Sequence, residues 1–434
     1  MIDQTVAGLV IVALLGGLLI LGMPIGFSLA ASGIAGLVLT RGWGPLDFLV
    51  GSFSYSYVGN LGYIVLPLFL FMGHMTFVSG VSERAYAAGQ RLFGHVAGGL
   101  AIATIMASAA FAMVCGSSAA SASTMGKIAI PEMLKRGYAR SLTAGSVAGG
   151  GTLGILIPPS GVLVVYSIAT ETSILDLFVA AFIPGVITTL VYVLLVHGMV
   201  RFRPALAGKP LPRAPVADQL RALASSWEII LLFIIVMGGI YLGVATATEA
   251  AAVGALVATL LVFRQKGNRT RMIGAGLLET GSATATIFLL ILGAGLFSTA
   301  LSTTQIPNTL ATWAVQYSQN RYVVLLLILL AYFVLGMFID GFSMILLTMP
   351  IVFPIVTRLH FDAVWFGIIV TKTVEIGLLT PPVGLNAFVV KSVAPEIPLG
   401  EIFRGCFPFV LAEIAIVALL VAFPEVTQVL RAHR

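Results

Sequence analysis

The amino-acid sequence predicts an all-α membrane protein: a polytopic helical bundle with two inverted repeats, each carrying a re-entrant helical hairpin and a broken transmembrane helix. Its 434 residues are 59% apolar and 9% charged, with a mean hydropathy of +1.07, whereas soluble domains are about 45–50% apolar and about 25% charged. Apolar runs of helix length recur from Val6 to Phe423, without the alternation typical of a barrel. The stretch GILIPPSG at Gly154–Gly161 returns as GLLTPPVG at Gly377–Gly384, 223 residues later.

Basic residues indicate which loops face the cytoplasm. The net charge of +6 is attributed to such loops, because they carry excess Lys and Arg, and no nucleic acid is expected as a partner. The loop Arg201–Trp227 and the cluster RQKGNRTR at Arg264–Arg271 are both predicted to be cytoplasmic, with two helices between them. The first apolar run lacks a basic start and is expected to be a mature span rather than a signal peptide. Cys115 and Cys406 are expected to be small buried side chains, not a disulfide or a metal pair.

The first hairpin is predicted from two apolar arms, 94–115 and 120–136, whose outer ends both carry basic residues. The link between the arms, CGSSAAS at Cys115–Ser121, is polar and uncharged. Charge alone allows either two full spans or a hairpin that enters and leaves on the cytoplasmic side. We favour the hairpin, because a Gly-Ser-Ser tip can be buried against protein at mid-depth.

The second repeat is predicted to have the same parts upside down. Its arms, 322–339 and 342–358, meet at DGFS, Asp340–Ser343, and Pro131 aligns with Pro354 at the same offset as the Pro-Pro motifs. An odd number of predicted crossings separates the two repeats, which gives them opposite orientations. Such inverted repeats are typical of secondary transporters.

The Pro-Pro motifs interrupt the apolar segments 139–170 and 362–394, and each proline removes a backbone donor. Bare carbonyls at mid-depth would cost several kcal/mol each, whereas a small cation can be bound by them. The sequence therefore predicts two sodium sites, each formed by a hairpin tip and a helix break. The first site comprises Ser117, Ser118, Ser121, Gly154 and Pro158, and the second comprises Asp340, Gly341, Ser343, Gly377, Thr380, Pro381 and Asn386. An anionic substrate between the sites is predicted to contact Ser118, Ser160 and Asn386, since helix N-termini there carry partial positive charge.

Several polar residues have a structural interpretation beside the functional one. Asp340 is a functional candidate, because an ionisable group at mid-membrane is costly, but it can also cap the arm that starts at Gly341. Lys372 and Glu375 lie one turn apart and can neutralise each other. His74 has no second ligand at helical spacing and is expected to be hydrogen-bonded within the bundle rather than bound to a metal.

Two short motifs receive a structural interpretation only. GGGTLG at Gly149–Gly154 satisfies the GxGxxG pattern but lies in an apolar span without a preceding strand, so a dinucleotide site is rejected. Thr246 and Glu249 have the spacing of a capping box at the start of a helix. No nucleophile and base occur at a usable spacing, so an enzyme is not expected. A channel is disfavoured, because it would need a continuous polar path and the sequence offers two closed polar tips.

Three segments together resemble signature segments of the large membrane subunit of tripartite ATP-independent periplasmic (TRAP) transporters. They are GSSAASASTMGKIAIPEMLKRGY with the following GILIPPS, then TATEAAAVGAL, and then EIGLLTPPVGLN. They occur in the family's order and the similarity covers nearly the whole chain. Ala247 departs from the pattern, since the family often has proline there, but this concerns a helix start only.

The resemblance implies a sodium-gradient-driven importer of organic acids, such as C4-dicarboxylates or sialic and sugar acids, in the bacterial inner (cytoplasmic) membrane. It implies two partners, a small four-helix membrane subunit and a periplasmic substrate-binding protein, and an elevator motion in the lipid bilayer, as in the ion transporter superfamily. Sodium ions are expected, and no organic cofactor. A self-sufficient sodium/anion symporter of the same architecture is the alternative.

The predicted division of the chain follows this scheme. Residues 1–80 form scaffold helices and an amphipathic arm, 81–173 the first transport half, and 174–303 further scaffold helices with cytoplasmic loops. Residues 304–398 form the second transport half and 399–434 a C-terminal scaffold helix.

Overall fold

The computed structural model describes residues 4–44, 50–52, 55, 59–304, 306–317 and 320–432. Parts of the predicted 1–80 unit, at 1–3, 45–49, 53–54 and 56–58, lie outside this range. The helices are α1 (Gln4–Ile20), α2 (Ile25–Arg41), α3 (Val65–Val78), α4 (Val81–Phe93), α5 (Gly99–Cys115), α6 (Ser118–Lys135), α7 (Arg140–Leu156), α8 (Gly161–Thr170), α9 (Ile174–Phe202), α10 (Val216–Ala224), α11 (Trp227–Tyr241), α12 (Ala247–Val262), α13 (Arg269–Ser302), α14 (Ile306–Tyr317), α15 (Arg321–Gly336), α16 (Gly341–Arg358), α17 (Ala363–Leu379), α18 (Leu385–Val393), α19 (Leu399–Ala422) and α20 (Glu425–Ala432).

The described residues form a helical membrane bundle, as the composition predicts. Five helical segments are long and apolar enough to cross a membrane, with Arg140–Thr170 taken as one, or seven if two bent pairs are counted as one span each. The bent pairs are Gly62–Val78 with Val81–Phe93, at 62°, and Val216–Ala224 with Trp227–Tyr241, at 45°. Shorter apolar helices include the first arms of both hairpins, Gly99–Cys115 and Arg321–Gly336.

Each repeat contains the predicted hairpin and broken helix. In the first repeat, the hairpin arms are α5 and α6 and the broken helix is α7 with α8. In the second, they are α15 and α16, and α17 with α18. Serine or aspartate side chains begin three of the segments that follow a tip or break: Ser117 accepts from Ala120 N at 3.4 Å, Ser160 from Leu163 N at 3.3 Å, and Asp340 from Phe342 N at 3.0 Å. Such N-caps satisfy donors that would otherwise be unpaired at a helix start.

The basic segments meet at one end of the molecule. Glu228, fully buried, accepts from Arg264 at 2.8 Å and lies 3.3 Å from Arg84. The loop after α9 covers the outer ends of the first hairpin, since Leu211 N donates to Gly94 O at 2.9 Å and Ala139 N donates to Leu206 O at 2.9 Å. Both outer ends of the first hairpin therefore lie beside the loop Arg201–Trp227, which was predicted to be cytoplasmic.

The loop between α9 and α11 contains a helix that was not predicted from the sequence. Helix α10 places Val216, Leu220 and Leu223 at helical spacing, and all three are exposed. A short helix with one apolar exposed face is typical of the membrane interface.

The predicted capping box is confirmed at the start of α12, where Glu249 N donates to Thr246 Oγ1 at 3.3 Å and Thr246 N donates to Glu249 Oε2 at 2.8 Å.

Helices α9 and α19 pack against both broken helices. They lie within residues 174–303 and 399–434, which the sequence analysis assigns to the scaffold, and that division remains a prediction. In the structure, α19 contacts α7 and α17, and α9 contacts α7, α17 and α19. By contrast, α13 packs mainly on α2, and α12 on α3.

Candidate functional site

The tip of the first hairpin rests on the break in the first broken helix. Gly161 N donates to Gly116 O at 3.2 Å, which joins the break directly to the tip. A Cβ on Gly154 would lie 2.6 Å from Ser117 O and 3.3 Å from Ser118 N. Only glycine therefore allows α7 to approach the tip this closely.

The second repeat forms similar contacts from the equivalent positions of its broken helix. Gly384 N donates to Met337 O at 3.2 Å, and Gly384 is the residue 223 positions after Gly161. A Cβ on Gly377 would lie 2.4 Å from Gly336 C, and Gly377 is the equivalent of Gly154. Both Pro-Pro peptide bonds, at 158–159 and 381–382, are cis. The repeated motif thus packs on the hairpin in both halves, on Ser117 after the first arm in one and on Gly336 at the end of the first arm in the other.

The breaks leave backbone carbonyls without their usual donors. The carbonyls of Gly154 and Gly377 would accept from the residues four positions later, which are Pro158 and Pro381 and have no N–H. Gly377 O accepts from Thr380 N instead, at 3.1 Å. Neighbouring hydroxyls replace part of what is lost: Ser160 Oγ donates to Ile155 O, and Thr380 Oγ1 donates to Ile376 O at 2.6 Å.

The two breaks differ in their surroundings. Residues 157–160 are all buried, whereas Pro381 and Pro382 are exposed. The first break is therefore enclosed by protein, and the second is open on one side.

Asp340 has the capping role that was the alternative interpretation. Its Oδ1 accepts from Phe342 N at 3.0 Å and from Ser343 N at 3.1 Å, and its Oδ2 accepts from Ser343 Oγ at 2.6 Å. Gly341 follows the cap and packs on Val162 and Val374. The second tip thus touches both broken helices, and the sodium role of Asp340 remains a prediction.

Two predicted site residues carry buried oxygens without a partner among the described residues. They are Ser121 Oγ and Asn386 Oδ1, and both side chains are fully buried. Asn386 Nδ2 donates to Ala148 O at 3.3 Å, so Asn386 joins the second half to α7 of the first half. Buried oxygens without a partner are suited to a cation that takes oxygen ligands.

A fully buried ionic cluster lies behind the two breaks. Lys372 Nζ lies 2.5 Å from Glu375 Oε2, pairs with Glu413 of α19 and donates to Thr188 of α9 at 3.1 Å. The predicted neutralisation of Lys372 by Glu375 is therefore confirmed, and Glu413 is a second carboxylate that the sequence analysis did not consider. Tyr192 donates to Glu413 and lies 3.2 Å from Thr152 Oγ1 of α7. The cluster links α7, α9, α17 and α19.

A cavity of about 490 Å³ with a mixed polar and apolar lining borders the first tip. Helices α3 and α13 form one wall, and α5, α6 and α18 form the other. Ser117, at the tip, lines the cavity, as do Lys127 and Glu279. His74 also lines it and contacts Glu279, with 3.0 Å between Nδ1 and Oε2, which confirms the hydrogen-bonded interpretation of this histidine.

The structure brings most of the predicted site residues together in two groups. Ser117, Ser118, Gly154, Pro158 and Ser160 meet at the first tip and break, with Ser121 one turn along α6. At the second tip and break lie Asp340, Gly341, Ser343, Gly377, Thr380 and Pro381, whereas Asn386 contacts α7 instead. The predicted substrate contacts Ser118, Ser160 and Asn386 are buried and lie outside the lining of the cavity. The sequence analysis did not consider Lys127 or Glu279 as site residues. Lys127 could have been noticed, because it is a charged residue in a hairpin arm that consists mainly of small residues.

Comparison with known proteins identifies the family. A family model described as "Tripartite ATP-independent periplasmic transporter, DctM component" matches residues 11–426. The chain belongs to this family. It is thus a large permease subunit of a TRAP transporter. The curated relatives described next are named as transporter permeases, not as enzymes.

Similar curated proteins of the TRAP family differ in the substrate that their names give. The C4-dicarboxylate TRAP transporter large permease protein DctM of Pseudomonas aeruginosa is 36% identical over 84% of both chains. The sialic acid TRAP transporter large permease protein SiaM of Vibrio cholerae is 33% identical over 95% of this chain and 96% of that one. The ectoine TRAP transporter large permease protein TeaC of Halomonas elongata is 30% identical over 97% and 98%.

A solved structure shares the fold of this TRAP subunit. The YdaH transporter of Alcanivorax borkumensis aligns with a TM-score of 0.64 at 13% identity, over 88% of this chain and 90% of that one. Its title describes an unusual topology. At this identity the likeness concerns the fold alone.

Proposed function

We propose that this TRAP permease subunit imports an organic acid anion across the bacterial inner membrane, driven by sodium, with a periplasmic binding protein that delivers the substrate and a small four-helix membrane subunit as partners. The observation that carries the proposal is the pair of equivalent tip and break contacts, Gly161 N to Gly116 O and Gly384 N to Met337 O. In each, prolines remove helical donors beside a hairpin tip. Sodium binds oxygen ligands of this kind at broken helices of carriers.

The proposed motion is of the elevator type. The hairpins and broken helices move as one block against a scaffold that includes α2, α3, α12 and α13. We include α9 and α19 in the block, because the buried cluster around Lys372 ties them to α7 and α17. Breaking such a cluster would leave an unpaired buried charge, at a cost of about 3–5 kcal/mol.

Sodium dependence is tested by uptake into proteoliposomes that contain this chain and its membrane partner, with the binding protein added outside. Uptake should stop when potassium replaces sodium. Undiminished uptake in potassium would refute the sodium proposal. Uptake that persists without the binding protein would favour the self-sufficient symporter instead.

A matched pair of serine variants tests the first sodium site. Ser121→Ala removes a buried oxygen without a partner and should weaken the apparent sodium affinity by about tenfold, or ~1.4 kcal/mol. Ser146→Ala is the control, because Ser146 is equally buried but its hydroxyl donates to Leu142 O at 2.7 Å. Equal sodium affinities in the two variants would remove Ser121 from the site.

A further inference from the structure

The cavity beside the first tip has an uncompensated positive charge at one position. Lys127 of α6 lines the cavity, and its Nζ lies 5.7 Å from the ring centroid of Phe77 on α3. Among the described residues, no carboxylate lies within ion-pair distance of this ammonium. A cation over an aromatic ring gains only part of what a carboxylate partner would supply. Lys127 is exposed, so its ammonium is available to an anionic ligand in the cavity.

The negative charge of the cavity lies on the opposite wall, at Glu279 of α13. The rings of Phe77 and His74 are 6.2 Å apart, and His74 Nδ1 lies 3.0 Å from Glu279 Oε2. Lys127, Phe77, His74 and Glu279 thus follow one another along the cavity. A ligand whose carboxylate meets Lys127 would present its other end toward the carboxylate of Glu279. That position accepts hydrogen bonds and repels a second anionic group.

We infer that this cavity is the substrate site and that it selects a monocarboxylate whose other end carries hydrogen-bond donors, against a dicarboxylate. Lys127 binds the carboxylate, and Glu279, held by His74, accepts from the donor end. Hydroxyls of Ser123 on α6 and Ser392 on α18 also line the cavity and suit a hydroxylated chain. The volume of about 490 Å³ lies within the range of small-molecule sites, about 300–1,000 Å³. The inference rests on the proposed transport of an organic acid and names its chemical class.

The test measures binding to the purified full chain with its membrane partner, by ligand-induced thermal stabilisation, because a ligand that binds the folded state raises Tm. The probes are D-gluconate, D-glucitol as the uncharged polyol, and succinate as the dicarboxylate. D-gluconate should stabilise the protein at lower concentration than either other probe. Binding that is equal for D-gluconate and D-glucitol, tighter for succinate, or absent for all three would overturn the inference.

Variants assign the roles of the two charges. Lys127→Gln should weaken D-gluconate binding by about tenfold or more, the expected loss for a charge-assisted hydrogen bond, and Lys127→Arg should retain most of it. Glu279→Gln should improve succinate binding relative to D-gluconate. Lys135→Gln, a change at the far end of the same helix and outside the cavity lining, is the control. An unchanged preference in both Lys127→Gln and Glu279→Gln would refute the assignment.

The outcome is separable from the sodium proposal. Sodium titration of the wild-type chain, monitored by the same thermal shift in the absence of any acid, reports the sodium sites alone. A sodium response with no D-gluconate preference refutes the cavity assignment and leaves the sodium proposal standing. A D-gluconate preference that depends on Lys127, without a sodium response, supports the cavity assignment and refutes the sodium proposal.

Discussion

At the residue scale, Asp340 shows why a charged side chain inside a membrane protein does not by itself define an ion site. Its two carboxylate oxygens accept three hydrogen bonds within its own tip, from Phe342 N, Ser343 N and Ser343 Oγ. The cap accounts for the position of this residue without any ligand. Whether its charge also contributes to sodium binding is a separate question, which two substitutions can resolve.

Asp340→Asn and Asp340→Ala separate the cap from the charge. Asparagine caps helices as well as aspartate, whereas alanine costs about 0.5–2 kcal/mol at such positions. We expect Asp340→Ala to lower Tm and Asp340→Asn to keep it. If the charge contributes to the second sodium site, both variants should weaken sodium affinity, by about tenfold. Wild-type sodium affinity in Asp340→Asn would show that Asp340 is a cap only.

The residue-scale predictions succeeded where the physical constraint was local. The capping box at Thr246 and Glu249, and the pairing of Lys372 with Glu375, depend on residues three positions apart, so spacing alone predicts them. Glu413 was missed because it lies 41 positions after Lys372 and meets it only through the packing of α19 on α17. The sequence carries no periodic signal for such a contact.

At the scale of elements, the close approach of each tip to its broken helix depends on glycine. A Cβ at Gly377 would meet backbone atoms of Gly336 at 2.4–2.7 Å, and one at Gly154 would meet Ser117 O at 2.6 Å. Backbone atoms cannot move aside as a flexible side chain can. A methyl group at either position should therefore push the hairpin away from the break.

Gly154→Ala and Gly377→Ala should each reduce sodium-driven uptake severely and weaken sodium affinity by more than about tenfold. Gly198→Ala in α9 is the control, because nothing lies within 4 Å of a Cβ there. The measurement is the sodium concentration for half-maximal uptake, alongside Tm. A wild-type sodium response in both variants would mean that the tips and breaks do not form the ion sites.

The elements were predicted best where proline, glycine or small polar residues mark their ends. The Pro-Pro motifs and the small polar tips located both broken helices and both hairpins within a few residues. Helix α10 was read as part of a loop, because basic residues and prolines surround it. Helix α13 begins at Arg269, within the cluster Arg264–Arg271 that was predicted to be a cytoplasmic loop, because Asn268 caps the helix by accepting from Arg271 N at 3.1 Å.

At the scale of the whole molecule, the two halves are joined by contacts that cross between the repeats. Asn386 donates to Ala148 O at 3.3 Å, Tyr166 donates to Ala363 O at 2.6 Å, and Gly161 lies against the ring of Phe342. Together with the buried cluster around Lys372, these contacts favour motion of both halves as a single body. The cavity with Lys127 then lies on the surface along which that body would move.

Cross-linking tests whether α9 moves with the broken helices or belongs to the scaffold. The rings of Phe182 on α9 and Phe233 on α11 are stacked, with centroids 6.1 Å apart. If α9 moves with the broken helices, a link between Phe182→Cys and Phe233→Cys should stop sodium-driven uptake, and its reduction should restore uptake.

The control places both cysteines within the proposed scaffold, at Thr40 and Thr303, whose hydroxyls are 3.0 Å apart. Cys115 and Cys406 are buried and free, so both pairs are made in a background in which alanine replaces them. The linked Thr40→Cys/Thr303→Cys protein should transport at the rate of its reduced form. Full uptake by the linked Phe182→Cys/Phe233→Cys protein would place α9 on the stationary side, because a covalent bond across a moving boundary is incompatible with displacement of one side past the other.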